Sequence, residues 1–175
     1  MDAIREGEPT AMKSGTTMER KSEREVVVTR TINGPARIVF EAFAKPELFR
    51  QWWVPKSLGL SLLFCEADVR AGGRYRLVFD GKPQPMEFYG RYIEVTPHSR
   101  LVWTNEEGDD EGAVTTVTFE EIGGKTLLVM RDLYPSKEAL DNAIASGSEG
   151  TSGMGETLDQ LDEFVVASGA SLGRS

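Results

Sequence analysis

The sequence predicts an α+β protein: a curved antiparallel sheet of about six to seven strands wrapped around a long C-terminal helix, with two short helices after the first strand. Three observations predict this. Residues 25–32 are rich in β-branched side chains, residues 62–133 hold short apolar segments separated by turns, and residues 154–165 have an apolar stripe at helical spacing. Strands that follow one another without alternating helices indicate an α+β rather than a parallel α/β arrangement.

Composition limits the domain count and the partner classes. The chain has 175 residues, 39% hydrophobic and 27% charged, which is typical of one globular domain. We expect a disordered or loosely attached arm over residues 1–24, a domain over residues 25–168 and a tail over residues 169–175. The net charge of −8, without a basic cluster, argues against nucleic acid as a partner. No apolar run is long enough for membrane insertion, and a single cysteine favours a cytoplasmic location.

The segment after the first strand, PARIVFEAFAKPELFRQWW (residues 35–53), predicts the helical pair. Asn33 is a plausible N-cap, and Pro35 suits a first helical turn. Pro46 ends the first helix, because the residue before a proline is disfavoured in the α region, and it opens a second short turn. That turn brings Trp52 and Trp53 together.

The segments after residue 61 predict the remaining strands. Alternation is clearest in RYRLVFD, where every second side chain is apolar. Gly90, inside a predicted strand, indicates a bulge or a close approach of another group. The predicted strands cover residues 62–69, 74–80, 86–95, 100–106, 113–122 and 125–133.

The C-terminal part of the sequence predicts helical structure. Ser136 is the expected N-cap of a helical region that residues 147–155 interrupt with glycines. The apolar spacing resumes at Met154, Leu158, Leu161 and Val165. This stripe predicts a helix that lies on the concave face of the sheet.

Four stretches together resemble the AHSA family, the relatives of the C-terminal domain of the heat-shock chaperone ATPase activator, within the SRPBCC (START-like, birch-pollen-allergen-like) superfamily. They are PARIVFEAFAKPELFRQWWVP, ADVRAGGRYR, GRYIEVTPHSRLVWT and LDQLDEFV. The resemblance implies a helix-grip fold with a cavity between the long helix and the sheet. Superfamily members bind lipids, sterols, polyketides or other apolar molecules, and some are cyclases. This chain has Gly153-Met154 where relatives often have Gly-Trp.

The candidate ligand-binding residues are the large side chains on the inner faces of these elements. For the tryptophan pair, packing in the core and lining of the cavity mouth both stay open. Asp132 is the best polar candidate, because it shares a face with Met130 on a regular strand. The full predicted set is Trp52, Trp53, Tyr75, Leu77, Phe79, Phe88, Trp103, Val117, Phe119, Leu128, Met130, Asp132, Met154, Leu158 and Leu161.

No residue pattern indicates catalysis, a metal or a cofactor, and none is expected. His98 is the only histidine and has no second ligand nearby in the sequence. Cys65 has no partner histidine and is interpreted as a buried structural thiol.

Two functions from different classes follow, with a third behind them. The first is a carrier or sensor of an apolar small molecule or lipid, held in the cavity. The second is a protein-interaction module that binds a chaperone through the outer sheet surface, by analogy with the family's namesake. A cyclase or hydrolase of an apolar substrate ranks third, and homodimer formation stays open.

Overall fold

A computed structural model describes residues 10–11, 16–54, 56–81, 84–106, 112–146 and 151–172. They form one antiparallel sheet of nine strands in the order β1-β2-β3-β9-β8-β7-β6-β5-β4. The predicted α+β class and helix-grip arrangement are confirmed, and the strand count is higher than expected. The strands are β1 Thr10–Ala11, β2 Thr17–Arg20, β3 Glu25–Ile32, β4 Leu62–Ala67, β5 Arg74–Phe79, β6 Met86–Thr96, β7 Arg100–Thr104, β8 Val114–Ile122 and β9 Lys125–Leu133.

Four α-helices and one short 3-10 turn complete the described fold. They are α1 Ala36–Ala44, α2 Pro46–Phe49, the 3-10 turn Lys56–Leu58, α3 Lys137–Ser146 and α4 Thr151–Leu172. Ser136 caps α3 as predicted, since its hydroxyl accepts a hydrogen bond from the Ala139 N–H at 3.1 Å. Within the described residues, no helix is both long enough and apolar enough to cross a membrane.

The N-terminus of α1 differs from the prediction. Pro35 occupies the N-cap position without a side-chain cap, so Asn33 is not the cap. The Glu121 carboxylate, at the end of β8, accepts the Ala36 N–H at 3.0 Å instead. Asn33 contacts α4 rather than α1. Its backbone N–H donates to the Asp162 carboxylate at 2.7 Å, and its side-chain amide donates to the same carboxylate. A carboxylate distant in sequence thus satisfies an N–H that the local sequence leaves free.

One hydrophobic core joins α1 and α4 to the sheet. Leu158, Leu161 and Val165 of α4 are fully buried and belong to the same cluster as Phe43 of α1 and Val117 of β8. Arg30 of β3 adds a polar contact to this packing, because its guanidinium pairs with Asp159 of α4 at 2.7 Å. The predicted packing of the C-terminal apolar stripe against the sheet is therefore correct at Leu158, Leu161 and Val165.

Residues 16–24 were predicted to be part of a disordered or loosely attached arm, and the structure corrects this prediction. They belong to the folded domain, since β2 pairs antiparallel with β3 and Thr16 and Met18 are fully buried. The prediction was wrong here because a strand of four residues has too few alternating positions to be distinguished from a polar tail. Thr10 and Ala11 form a strand as well, which pairs with β2. Residues 1–9 and 12–15 lie outside the described structure, so for them the predicted arm stays a prediction, as do the domain boundaries.

The buried position of Met18 leads to a stability prediction. We expect Met18→Ala to lower the free energy of unfolding by about 2 kcal/mol, because it leaves a cavity between β2 and the core. Urea denaturation measures the change. Met86→Ala is the matched control, since Met86 is 39% exposed and should cost little. Equal, negligible effects of the two changes would mean that β2 is only loosely attached in solution.

Candidate ligand pocket

A pocket of about 220 Å³ lies between the two short helices and strands β4–β7. The helices supply one wall, and the sheet half farthest from β3 supplies the other. Its aromatic lining residues are Phe43, Phe49, Trp53, Tyr75, Phe79, Phe88, Tyr92 and Trp103, and the remaining ones are Pro46, Cys65, Ala67, Leu77 and Asn105.

The sheet wall follows from strand alternation and register. Every second residue of β5 faces the pocket, starting with Tyr75, while Arg74, Arg76 and Val78 lie on the opposite face. Leu77 is paired with Cys65 of β4 on one side and with Phe88 of β6 on the other. One row of paired residues therefore spans three strands of the wall, because residues directly opposite in antiparallel strands share a face.

Gly90 allows two pocket residues to take their positions. A Cβ atom at residue 90 would lie 2.0 Å from the Thr104 carbonyl oxygen and 2.9 Å from the Tyr75 ring. The Tyr75 hydroxyl donates to that same carbonyl at 2.7 Å, so the ring crosses the space that a side chain would fill. The predicted close approach at this glycine is confirmed.

The helical wall separates the two adjacent tryptophans. Trp53 stacks on Phe49 with ring centroids 4.8 Å apart and lines the pocket. Trp52 is fully buried in the core, where its indole N–H donates to the Ala42 carbonyl at 3.0 Å. Its ring also contacts Phe43 edge-on, with centroids 4.8 Å apart. Of the two open interpretations, core packing therefore describes Trp52 and pocket lining describes Trp53.

Helix α4 holds the tryptophan segment in place without lining the pocket. Gln160, which is 9% exposed, donates to the carbonyls of Trp52 at 2.8 Å and Val54 at 2.9 Å, and accepts the Lys56 N–H at 2.9 Å. The Thr157 hydroxyl donates to the Trp53 carbonyl at 3.2 Å. This segment has no regular ladder of its own, so α4 supplies the partners that its backbone requires.

A chain of hydrogen bonds connects Asp132 to the pocket. Its carboxylate accepts the Thr115 hydroxyl at 2.6 Å, and Thr115 accepts the Asn105 side-chain amide at 3.1 Å. Asn105 lines the pocket beside Tyr75, whose hydroxyl lies 3.4 Å from the Asn105 side-chain oxygen. Asp132 is therefore not a lining residue but orients one through Thr115.

The titratable lining groups Cys65 and Tyr92 are held in their neutral forms. Burial raises the pKa of the Cys65 thiol, although the nearby Arg50 opposes part of that effect. Burial also raises the pKa of the Tyr92 hydroxyl, and the Cys65 thiol raises it further. In the described part of the chain, no group of three or more acidic, histidine or cysteine side chains could hold a metal ion.

The structure distributes the predicted binding residues between pocket and core. Six of them line the pocket: Trp53, Tyr75, Leu77, Phe79, Phe88 and Trp103. Seven belong to the hydrophobic core: Trp52, Val117, Phe119, Leu128, Met130, Leu158 and Leu161. Met154 has a side chain outside the described structure.

The described pocket therefore lies at a different place from the predicted cavity. We expected it between the C-terminal helix and the sheet, but no described side chain of α4 lines this pocket. Leu158 and Leu161 are instead fully buried in the same hydrophobic cluster as Val117 of β8 and Leu128 of β9. The pocket lies over the other half of the sheet, where Phe43 of α1, Phe49 of α2 and Trp53 face the strands.

Seven lining residues were not predicted from the sequence: Phe43, Pro46, Phe49, Cys65, Ala67, Tyr92 and Asn105. For three of them, strand alternation in the sequence could have indicated an inward-facing side chain. Cys65 and Ala67 alternate on β4, and Tyr92 is two residues from Gly90 on β6, so their faces follow from the period of two. For Phe43, Pro46 and Phe49 no local signal separates a pocket wall from a core contact.

Comparison with known proteins places the fold in a family context. The family profile described as Activator of Hsp90 ATPase homolog 1-like protein matches residues 33–165. Among curated proteins, none matches the sequence.

Solved structures from several bacteria share the fold. A protein from Nitrosomonas europaea is 22% identical with a TM-score of 0.72, covering 86% of this chain and 99% of its own. One from Rhodobacter sphaeroides is 23% identical with a TM-score of 0.74, covering 87% and 98%. One from Staphylococcus epidermidis is 25% identical with a TM-score of 0.72, covering 85% and 93%.

Proposed function

Because this chain belongs to the family of Activator of Hsp90 ATPase homolog 1-like proteins, we propose that it binds an apolar small molecule in the pocket between α1–α2 and β4–β7. The observation that carries the proposal is the lining, in which eight of 13 residues are aromatic and none carries a charge. A concave, mostly apolar site with a few polar groups is the usual form of a small-molecule site.

The size of the pocket restricts the ligand. An apolar cavity of roughly 150 Å³ accommodates benzene, while drug-sized ligands occupy roughly 300–1,000 Å³. At about 220 Å³ the pocket suits a compound of one or two rings. A sterol or a long acyl chain would extend beyond it.

The outer sheet surface supports the alternative, a chaperone-binding module, less well. Phe64 and Tyr89 are partly exposed there, but salt bridges surround them, including Arg76–Glu87 and Arg91–Glu106. The Arg76 guanidinium also lies over the Phe64 ring, 5.1 Å from its centroid. These ion pairs interrupt the apolar surface around Phe64 and Tyr89, whereas the pocket lining carries no charge, which favours a bound small molecule.

Extraction of the purified protein tests the proposal directly. We expect denaturation in organic solvent to release a compound of one or two rings, identified by mass spectrometry, that returns to the protein on refolding. Ala67→Trp should purify without that compound, because the added indole occupies the pocket beside Tyr75. The same compound recovered from both proteins would indicate that it binds elsewhere.

A binding titration provides the second test. We expect the protein to bind indane, a neutral two-ring hydrocarbon, and Ala67→Trp to weaken that binding at least tenfold by filling the site. Ala145→Trp is the matched control, because Ala145 is exposed on α3 and its replacement should leave affinity unchanged. Calorimetry measures the indane affinity of both variants. Failure of the unmodified protein to bind indane would move the interpretation to the interaction module.

A further inference from the structure

The Tyr92 side chain carries a pocket hydroxyl that has no hydrogen-bond partner among the described residues. It is 8% exposed, and its ring packs between Tyr75 and Trp103, with centroids 5.8 Å and 6.3 Å away. Among the described residues its hydroxyl makes no hydrogen bond, whereas every fully buried side-chain nitrogen or oxygen there has a partner. The hydroxyl is therefore reached from the pocket, which Tyr92 lines.

The backbone around Tyr92 fixes the ring in this position. Its N–H donates to the Gly73 carbonyl at 2.8 Å, and its carbonyl accepts the Gly72 N–H at 2.8 Å. These bonds connect β6 to the turn before β5. Rotation of the ring away from the pocket is opposed by the two aromatic neighbours, so the hydroxyl is preorganised for a ligand.

The polar groups of Cys65, Asn105 and Tyr75, which also line the pocket, are already engaged within the protein. The Cys65 thiol donates weakly to the Pro46 carbonyl at 3.8 Å. The Asn105 side-chain amide donates to the Ala113 carbonyl at 2.8 Å and to Thr115. A neutral phenol whose O–H makes no hydrogen bond among the described residues can therefore donate to a ligand.

We infer that the pocket selects an uncharged aromatic compound of one or two rings with a hydrogen-bond acceptor, such as a carbonyl oxygen, that binds the Tyr92 hydroxyl; this rests on the proposed function. Aromatic walls favour a planar partner in stacked or edge-on contact. An ion is disfavoured because no lining side chain carries a compensating charge. A ligand that fills the pocket without accepting from the Tyr92 hydroxyl would bury that hydroxyl without a partner, so a ligand with an acceptor at this point binds more tightly.

Matched probes test the inference. The probes are 1-indanone, indane and 1-indanecarboxylate, which share a ring system and differ in the polar group. We expect 1-indanone to bind roughly fivefold more tightly than indane, the contribution of one hydrogen bond, and the carboxylate to bind most weakly. Tyr92→Phe should remove the preference for 1-indanone while indane binds as before. Tyr89→Phe, the same change on the opposite face of β6, is the control and should keep the preference.

The outcomes separate this inference from the proposed function. Equal binding of indane and 1-indanone, or a preference that survives Tyr92→Phe, would overturn the role of the hydroxyl while the pocket remains a binding site. Tightest binding of the carboxylate would overturn the neutral ligand class. If none of the three probes binds, the proposed function fails and the inference fails with it.

Discussion

Trp52→Ala is expected to lower the free energy of unfolding by about 4 kcal/mol, the typical cost of removing a large aromatic side chain from a core. Trp52 is fully buried, packs edge-on against Phe43 and Phe49, and donates its indole N–H to the Ala42 carbonyl. Its loss opens a cavity and leaves that carbonyl without its partner. For a domain of this size, the melting temperature should fall by roughly 8–16 °C.

Trp53→Ala provides the matched comparison, because the same substitution is made one residue along the chain. Trp53 is half-buried and lines the pocket, so we expect a smaller loss of about 1–2 kcal/mol. Indane affinity should nevertheless fall severalfold, because one wall of the pocket is removed. Urea denaturation followed by far-UV circular dichroism avoids the altered tryptophan signal. A larger stability loss for Trp53→Ala than for Trp52→Ala would contradict the assignment of the pair.

Gln160→Leu is expected to lower the free energy of unfolding by about 3 kcal/mol. The amide satisfies two carbonyls and one N–H in the segment from Trp52 to Lys56. Leucine has a similar volume but makes none of these bonds, and a buried polar group left without a partner costs about 1–3 kcal/mol. We also expect weaker indane binding, because the segment carries Trp53 into the pocket wall.

Glu163→Leu is the control for Gln160→Leu. It introduces the same side chain on the same helix at an exposed position and should change stability by less than about 0.5 kcal/mol. Equal effects of the two substitutions would mean that leucine perturbs α4 itself. Unchanged indane affinity in a folded Gln160→Leu protein would mean that the tryptophan segment does not depend on α4 for its position.

The two tryptophans illustrate a general limit of the sequence. They are adjacent, chemically identical and equally apolar, yet one completes the core and the other lines a pocket. Nothing in the local pattern separates them, because their positions depend on Gln160 and Thr157, more than 100 residues away in the chain. Asn33 shows the same limit, since its amide contacts Asp162 rather than capping α1.

By itself, the sequence determined the α+β class, the seven central strands with their inner faces, the short helical pair and the apolar stripe of α4. Those features depend on local properties: strand alternation, proline and glycine positions, and helical spacing. Only the tertiary structure decided that β2 joins the sheet, that the apolar stripe of α4 is fully buried in the core, and that the pocket lies over β4–β7. A cavity is the space left where facing elements fail to fill the volume between them, so it depends on their relative placement and not on either pattern alone.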